Sequence, residues 1–543
     1  MPRTVKERFV PQFPAVVSPE AVPQPLTFFV PPKGMNTQLR PVQLPREVGR
    51  LIQNLQIRDG HYKLRDGTDI IGAISSTKLL YATAVKLSSG RTWNLRWRVN
   101  GVDYLKGGAW TPCSGASYSA PATAQVSVTG WNDTLVFTTG SGQLMVISFT
   151  NNVPTVTVLT DSPSNIGHVT TYAGRIIASA RLGTRIYWCV KNDNTKWDST
   201  DPLNQGAGFE DLLSAPGGLV DQQTAVTPIS DEYAYVIRTN SVWQMTQTGN
   251  ADTPFRFTVL YQGIGCEYPG TVAAVRRGVC FPSRDTVIYL SPDGGLQEIG
   301  IPIRELLRVD KKYLRDACGA FDARDNEYLL SIPDDNALGA TPVYRFSMTE
   351  MAWVKEIYPF PIKSVAFIRY TASLSIDELV GSIDQLTGAI DDLGQSDRTV
   401  GLMFAMAGSA KLVARSNFER NNAAERDVNS GGVTVAGGWR VETGDIVPQR
   451  SLYKTTLVKV EIEYEADAAA ALTFEYSEDG GTSWIQYAER TAAATTRSRV
   501  LRVIHTIERD SIMIAVNCAA SPNFRLLAVH AHASSGSQAE DAR

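Results

Sequence analysis

The feature that most constrains this chain is a long tract, from about residue 65 to residue 415, in which turn residues interrupt the sequence every few positions. Between the Gly, Asn, Asp and Pro marks lie short runs rich in Val, Ile, Thr, Tyr, Phe and Trp, which is the pattern of strands joined by hairpins. Residues 125–149 (QVSVTGWNDTLVFTTGSGQLMVISF), 232–245 (EYAYVIRTNSVWQM) and 276–300 are examples. Helical periodicity is nearly missing, and residues 301–316 (IPIRELLRVDKKYLRD) are the best helix candidate. The strand groups begin near Leu79, Gln125, His168, Thr224, Thr271, Cys318 and Ile362. That recurrence falls near the 40–50-residue period of propeller blades. A single sandwich needs far fewer strands, and a parallel α/β fold needs helices. The expectation is an all-β chain with a β-propeller over residues 46–416, of about seven blades, with six also possible.

The chain has 543 residues, 43% hydrophobic and 20% charged, the composition of a soluble globular protein. Its 52 basic and 55 acidic residues nearly cancel, which excludes a generally basic nucleic-acid binder. No apolar run approaches the ~18–20 residues of a membrane span, and the start MPRTVKERFV has no apolar signal core. Synthesis in the cytoplasm without Sec export is therefore expected. Six scattered cysteines with no C-x-x-C pair point to buried, reduced thiols.

Ten of the 28 prolines lie within residues 1–45. Proline removes a backbone donor, so this stretch suits neither a helix nor a central strand. Because it also carries Phe9, Phe13, Phe28 and Phe29, it reads as an extended docking arm with apolar anchors. Its seat is either its own domain or a neighbouring subunit. Arg40 and Leu44 complete the candidate assembly residues. Residues 375–394 (SIDELVGSIDQLTGAIDDLG) repeat every seven positions and read as an acidic, heptad-like insertion in the last blade. Residues 417–450 are polar and Gly-rich, a connector. Beyond it Val458, Val460, Ile462 and Tyr464 alternate with Lys459, Glu461 and Glu463. A separate C-terminal β-sandwich over 451–533 follows, then a flexible tail, 534–543.

Few motifs carry chemistry. Ser477-Glu478-Asp479-Gly480-Gly481-Thr482-Ser483-Trp484 resembles the Asp-box S-x-D-x-G-x-T-W, a structural turn in which Ser477, Asp479, Gly481 and Trp484 are the key positions. His530 and His532 share one strand face, a ligand spacing with no third ligand in view. No nucleophile elbow, phosphate loop, dinucleotide fingerprint or metalloprotease motif is present. Residues 192–201 hold acids at short spacing but do not match a calcium loop. No catalytic, cofactor-binding or metal residue is expected, and no cofactor.

Four stretches resemble the tail-nozzle or packaged-DNA-stabilisation β-propellers of short-tailed bacteriophage virions. The first, 33–68, carries Gly34-Met35-Asn36, Leu44-Pro45, Asn54-Leu55 and the pair Arg58-Asp59-Gly60 and Arg65-Asp66-Gly67. The second is RIYWCVKNDNTKWDSTDP (185–202), with Cys189 where serine is usual; the third is the 375–394 insertion. The fourth is WRVETGDI (439–446) followed by KVEIEYE and SEDGGTSW. The resemblance implies a non-enzymatic virion protein, one copy in a six-fold ring below the portal. Such a ring joins the portal adaptor to distal tail or fibre proteins and conducts double-stranded DNA without reading its sequence. Two rivals stay open: a sialidase-like glycosidase propeller, and a tail protein that binds host glycans.

Overall fold

A computed structural model describes residues 24–535 apart from 30–31, 66, 71–76, 107–108, 151–152, 214–220, 309–316, 333–340, 371–398, 407–411, 416–425, 429–433, 437, 447–454 and 520–523. Phe9, Phe13, the 375–394 insertion and the 536–543 end of the tail lie outside the described residues, as does most of the connector.

The chain is a β-propeller. Among the described residues, seven successive units of four antiparallel strands begin with the strands Leu79–Lys86, Ser127–Trp131, Ile166–Tyr172, Gln223–Pro228, Ala273–Val275, Cys318–Asp322 and Ile362–Tyr370, the second extended by the short strand Ser114–Gly115, which pairs in parallel with Val153–Val158. Each starts within two residues of a strand group marked in the sequence. The ring closes by a swap: the outermost strand of the last unit is Thr68–Ile70, bonded to Leu412–Arg415. Closure by a strand from the opposite end of the chain removes a free sheet edge and staples the ring.

Second strands sit between two neighbouring units, so both faces are buried and alternation disappears. Gly278–Ser283 and Glu327–Ser331 are buried at every position. Aromatic residues fill the wedges between units: Trp97 meets Phe137 edge-on at 5.6 Å, and Trp188 meets Phe255 at 5.4 Å.

The C-terminal sandwich is not a separate body. Leu51–Gln53 pairs in parallel with Ala352–Tyr358, the outer strand of the sixth unit, and antiparallel with Trp439–Asp445. One nine-stranded sheet therefore runs from the sixth unit into the sandwich. The opposing sheet contains Phe524–Ser535, Thr455–Ala466 and Thr495–Arg509, joined by the hairpin Leu55–Arg58/His61–Leu64 and the strand Gln24–Phe28. Asp59-Gly60 turns that hairpin with both residues at positive φ, as a two-residue loop demands.

Several expected boundaries move. Among the described residues of 46–78, Thr68–Ile70 completes the last propeller unit, while Leu51–Gln53 and the Leu55–Leu64 hairpin stitch the sandwich to the sixth unit. Trp439–Asp445, placed in the connector, is a sandwich strand, with Trp439 buried against Phe524 at 4.9 Å. Residues 301–316 give one five-residue helix, Arg304–Arg308, among the described residues. Val460, Ile462 and Tyr464 face the core as expected, but Val458 does not. A bulge between Leu457 and Lys459 shifts the phase and puts Leu457 inward instead.

Candidate functional site

The first strands of the units surround an axial funnel. Its wide mouth, about 890 Å³, is lined by the starts of first strands and by hairpin loops, including Gln125, Arg181, Gln223, Asn240, Glu267 and Tyr268. Below it lies a throat of about 200 Å³ whose wall includes the small residues Ala124, Gly167, Gly270, Ala317 and Gly319.

Polar side chains hold the rim in shape. Asp221 accepts from the Asn240 amide at 2.7 Å and the Thr239 hydroxyl at 3.0 Å, and it pairs with the buried guanidinium of Arg238 at 3.4 Å. Arg181 Nη1 donates to the Gly140 carbonyl at 2.9 Å. Gln223, only 7% exposed, donates Nε2 to the Thr184 carbonyl at 2.9 Å, while its Oε1 has no partner. Burial, reinforced by Glu267, pushes the Tyr268 phenol up to about 12, so it stays protonated near neutrality. His168, half-buried in the throat wall, is pushed down to about 4 by desolvation and is neutral, its Nδ1 accepting from the Val226 amide at 3.4 Å. The funnel thus offers amides, hydroxyls and a neutral phenol, with one cation and one anion at its mouth and Lys363 in its throat.

A second polar cluster joins the N-terminal hairpin to the sixth unit. Arg345, fully buried, faces Glu327 and, at 3.2 Å, Glu356. Arg58 reaches Glu327 at 2.5 Å and Asp325 at 2.7 Å. Gln56 Nε2 donates to Glu356 at 2.5 Å, and the Tyr358 hydroxyl donates to the same carboxylate at 2.7 Å. Opposite charges are matched, as a buried cluster requires, although Arg345 Nη2 has no acceptor of its own. Its function is to lock two parts of the fold together.

The candidate assembly residues separate. Phe28 and Phe29 are 3% and 1% exposed in the chain's own core, Phe29 meeting Tyr62 edge-on at 5.8 Å. They grip this chain rather than a neighbour, because Gln24–Phe28 pairs with Phe524–Ser535. Arg40 is exposed and Leu44 is half-buried, its side chain close against Gly444.

The Asp-box turn joins Ala470–Ser477 to Ile485–Ala492. Ser477 Oγ donates to Asp479 and accepts from the Gly481 amide, both at 2.8 Å; Asp479 also accepts from the Thr482 and Ser483 amides at 2.9 Å. Those bonds hold the Asp479 carboxyl well below the usual range. Trp484 is half-buried, with the Arg440 guanidinium over its ring at 4.8 Å. His532 pairs with Glu461 at 2.7 Å and His530 bonds Thr27 at 2.9 Å. Among the described residues, no group of three or more His, Cys, Asp or Glu side chains is arranged to hold a metal ion. All six cysteines are free, and five are buried.

Sequence reasoning missed the Arg345 cluster, although part of its signal was present: Arg345 and Glu356 each stand inside a strand that is otherwise largely apolar, while Glu327 opens the strand Glu327–Ser331. Gln223 and Asn240 carry no such signal, since an amide at a strand end looks like any solvated position.

No protein-family model matches this sequence, and no curated protein does. Among solved structures, the chain is similar to the extracellular domain of a hybrid two-component system from B. thetaiotaomicron at 10% identity and TM-score 0.40, covering 70% of this chain and 45% of that one. It is similar to the dihydro-heme d1 dehydrogenase NirN at 9% identity and TM-score 0.32, covering 55% and 60%. It is also similar to YCF48 bound to D1 peptide at 10% identity and TM-score 0.37, covering 65% and 98%. The chain spans less than two thirds of the length of the first two.

Proposed function

We propose that this protein is a non-enzymatic structural subunit of a phage tail. In this reading it is one copy in a ring, the six-fold nozzle, between the portal adaptor and the distal tail or fibre proteins of the virion. The ring retains packaged DNA and conducts it during ejection. The observation that carries the assembly reading is the strand Thr495–Arg509. It lies at a sheet edge and pairs with Thr455–Ala466 alone among the described strands. Eleven of its fifteen residues are exposed, including Val500 at 46% and Ile504 at 73%. A long, partly apolar edge left open invites another chain, and a neighbouring copy covers it in a ring.

The four stretches that resemble tail-nozzle propellers support reading that assembly as a phage tail ring. Near-neutral charge suits a conduit, because each phosphate contact from Lys or Arg adds affinity and slows passage. The conduit in this reading is the ring axis between copies. Native mass spectrometry of the full chain tests it: a discrete ring, reduced to monomer by Ile504→Asp, is expected. A monomer at all concentrations, absent from purified particles, overturns it.

A further inference from the structure

We propose that the axial funnel is a binding site for a neutral, hydroxyl-rich ligand, a saccharide, distinct from any surface used in assembly. Its volume of about 890 Å³ is far beyond what a single structural water needs. It opens where the first strands of several units begin, so side chains from separate units converge on one space.

The chemistry of the wall selects the ligand class. One cation, Arg181, and one anion, Glu267, stand at the mouth. That balance gives a polyanion such as nucleic acid little to neutralise. The aliphatic side chains of the lining, Leu182 and Pro269, are set among amides and hydroxyls, so a ligand that carries both apolar faces and hydroxyl groups fits better than a purely hydrophobic one. Side-chain amides and hydroxyls both donate and accept, matching sugar hydroxyls, which do the same.

Gln223 supplies the independent sign. The Thr184 carbonyl only accepts, so it fixes which end of the Gln223 amide carries the NH₂ group. The other end, Oε1, is left in the funnel wall as a buried acceptor without a donor. Buried acceptors are almost always satisfied, and a ligand hydroxyl supplies the missing donor. Asn240, its loop held by Asp221, lines the same space.

The test is calorimetric titration of the full chain with maltohexaose, cellohexaose and chitohexaose, with sialyllactose and a short DNA duplex as charged probes. Saturable binding of at least one neutral oligosaccharide is expected. Gln223→Leu and Asn240→Ala should each weaken it about tenfold or more with unchanged circular dichroism. Asn240→Ala, on a half-exposed loop, guards against a folding defect in the first variant. Absence of neutral-sugar binding, unaltered binding in both folded variants, or a preference for duplex or sialyllactose overturns the inference. Ring formation is a separate readout, so the two proposals fail independently.

Discussion

Arg58 and Glu327, 269 positions apart in the chain, are ion-paired at 2.5 Å at the seam between the N-terminal hairpin and the sixth propeller unit. Glu327 is also the partner of the buried Arg345, so one carboxylate ties the hairpin to the unit's own core. Removing the central cation strands several buried carboxylates at once. Arg345→Met is expected to cost about 3–5 kcal/mol, as breaking a buried pair typically does. Arg58→Met, at the partly exposed end, should cost less. Urea unfolding of both variants checks the order.

Asp325 in the same seam and Glu461 in the sandwich make stability fall in acid. Burial raises the Asp325 carboxyl, but Arg324, with Arg58 and Arg345, outweighs it, so the group lies below its ordinary value. Glu461 is likewise opposed by burial, yet its bonds to His532 and Lys459 bring it to about 2. A depressed carboxyl stabilises above its unfolded pKa, about 4, and that stabilisation is lost as pH falls through the folded value. The melting temperature should therefore hold between pH 7 and about 5 and drop from there toward pH 2. Asp325→Asn with Glu461→Gln should flatten that drop. A wild-type-like acid slope in the double variant contradicts the assignment.

Gly34 sits at φ +74°, where a Cβ would lie 2.4 Å from the Trp353 carbonyl. Gly34→Ala then meets both a left-handed backbone penalty and a clash with backbone, each worth about 1–3 kcal/mol. Loosening should appear first at the N-terminal strands, as faster limited proteolysis near residues 32–50.

Ser477 is fully buried and bonds both Asp479 and the Gly481 amide. Ser477→Ala should cost about 1 kcal/mol, the usual net value of such a bond. Asp479→Ala should lower the melting temperature without unfolding the propeller, because its bonds stay within the hairpin. Thermal melts followed by tryptophan fluorescence distinguish the two.

The repeated strand groups were legible because each blade is local: turn residues and β-branched runs within some 40–50 positions define it. Ile362 and Cys318 open their units where the sequence placed them. The Asp-box turn was equally readable, since Ser477, Asp479 and Gly481 interact within four residues. What the sequence by itself determined was therefore the all-β class, the starts of the blades and the local turns.

Only the tertiary structure decided where the two ends of the chain go. Nothing local in Thr68–Ile70 says that it closes the last blade on Leu412–Arg415, or in Trp439–Asp445 that it extends the sixth unit's sheet through Leu51–Gln53. Phe28 and Phe29 read equally well as anchors for a neighbour or for their own core until Phe524–Ser535 supplied the pairing partner. Strand pairing depends on backbone groups that every residue carries, so a partner hundreds of positions away leaves no mark in side-chain pattern. The funnel follows the same logic: Gln125, Gln223 and Tyr268 become one surface only when the ring brings separate blades around a common axis.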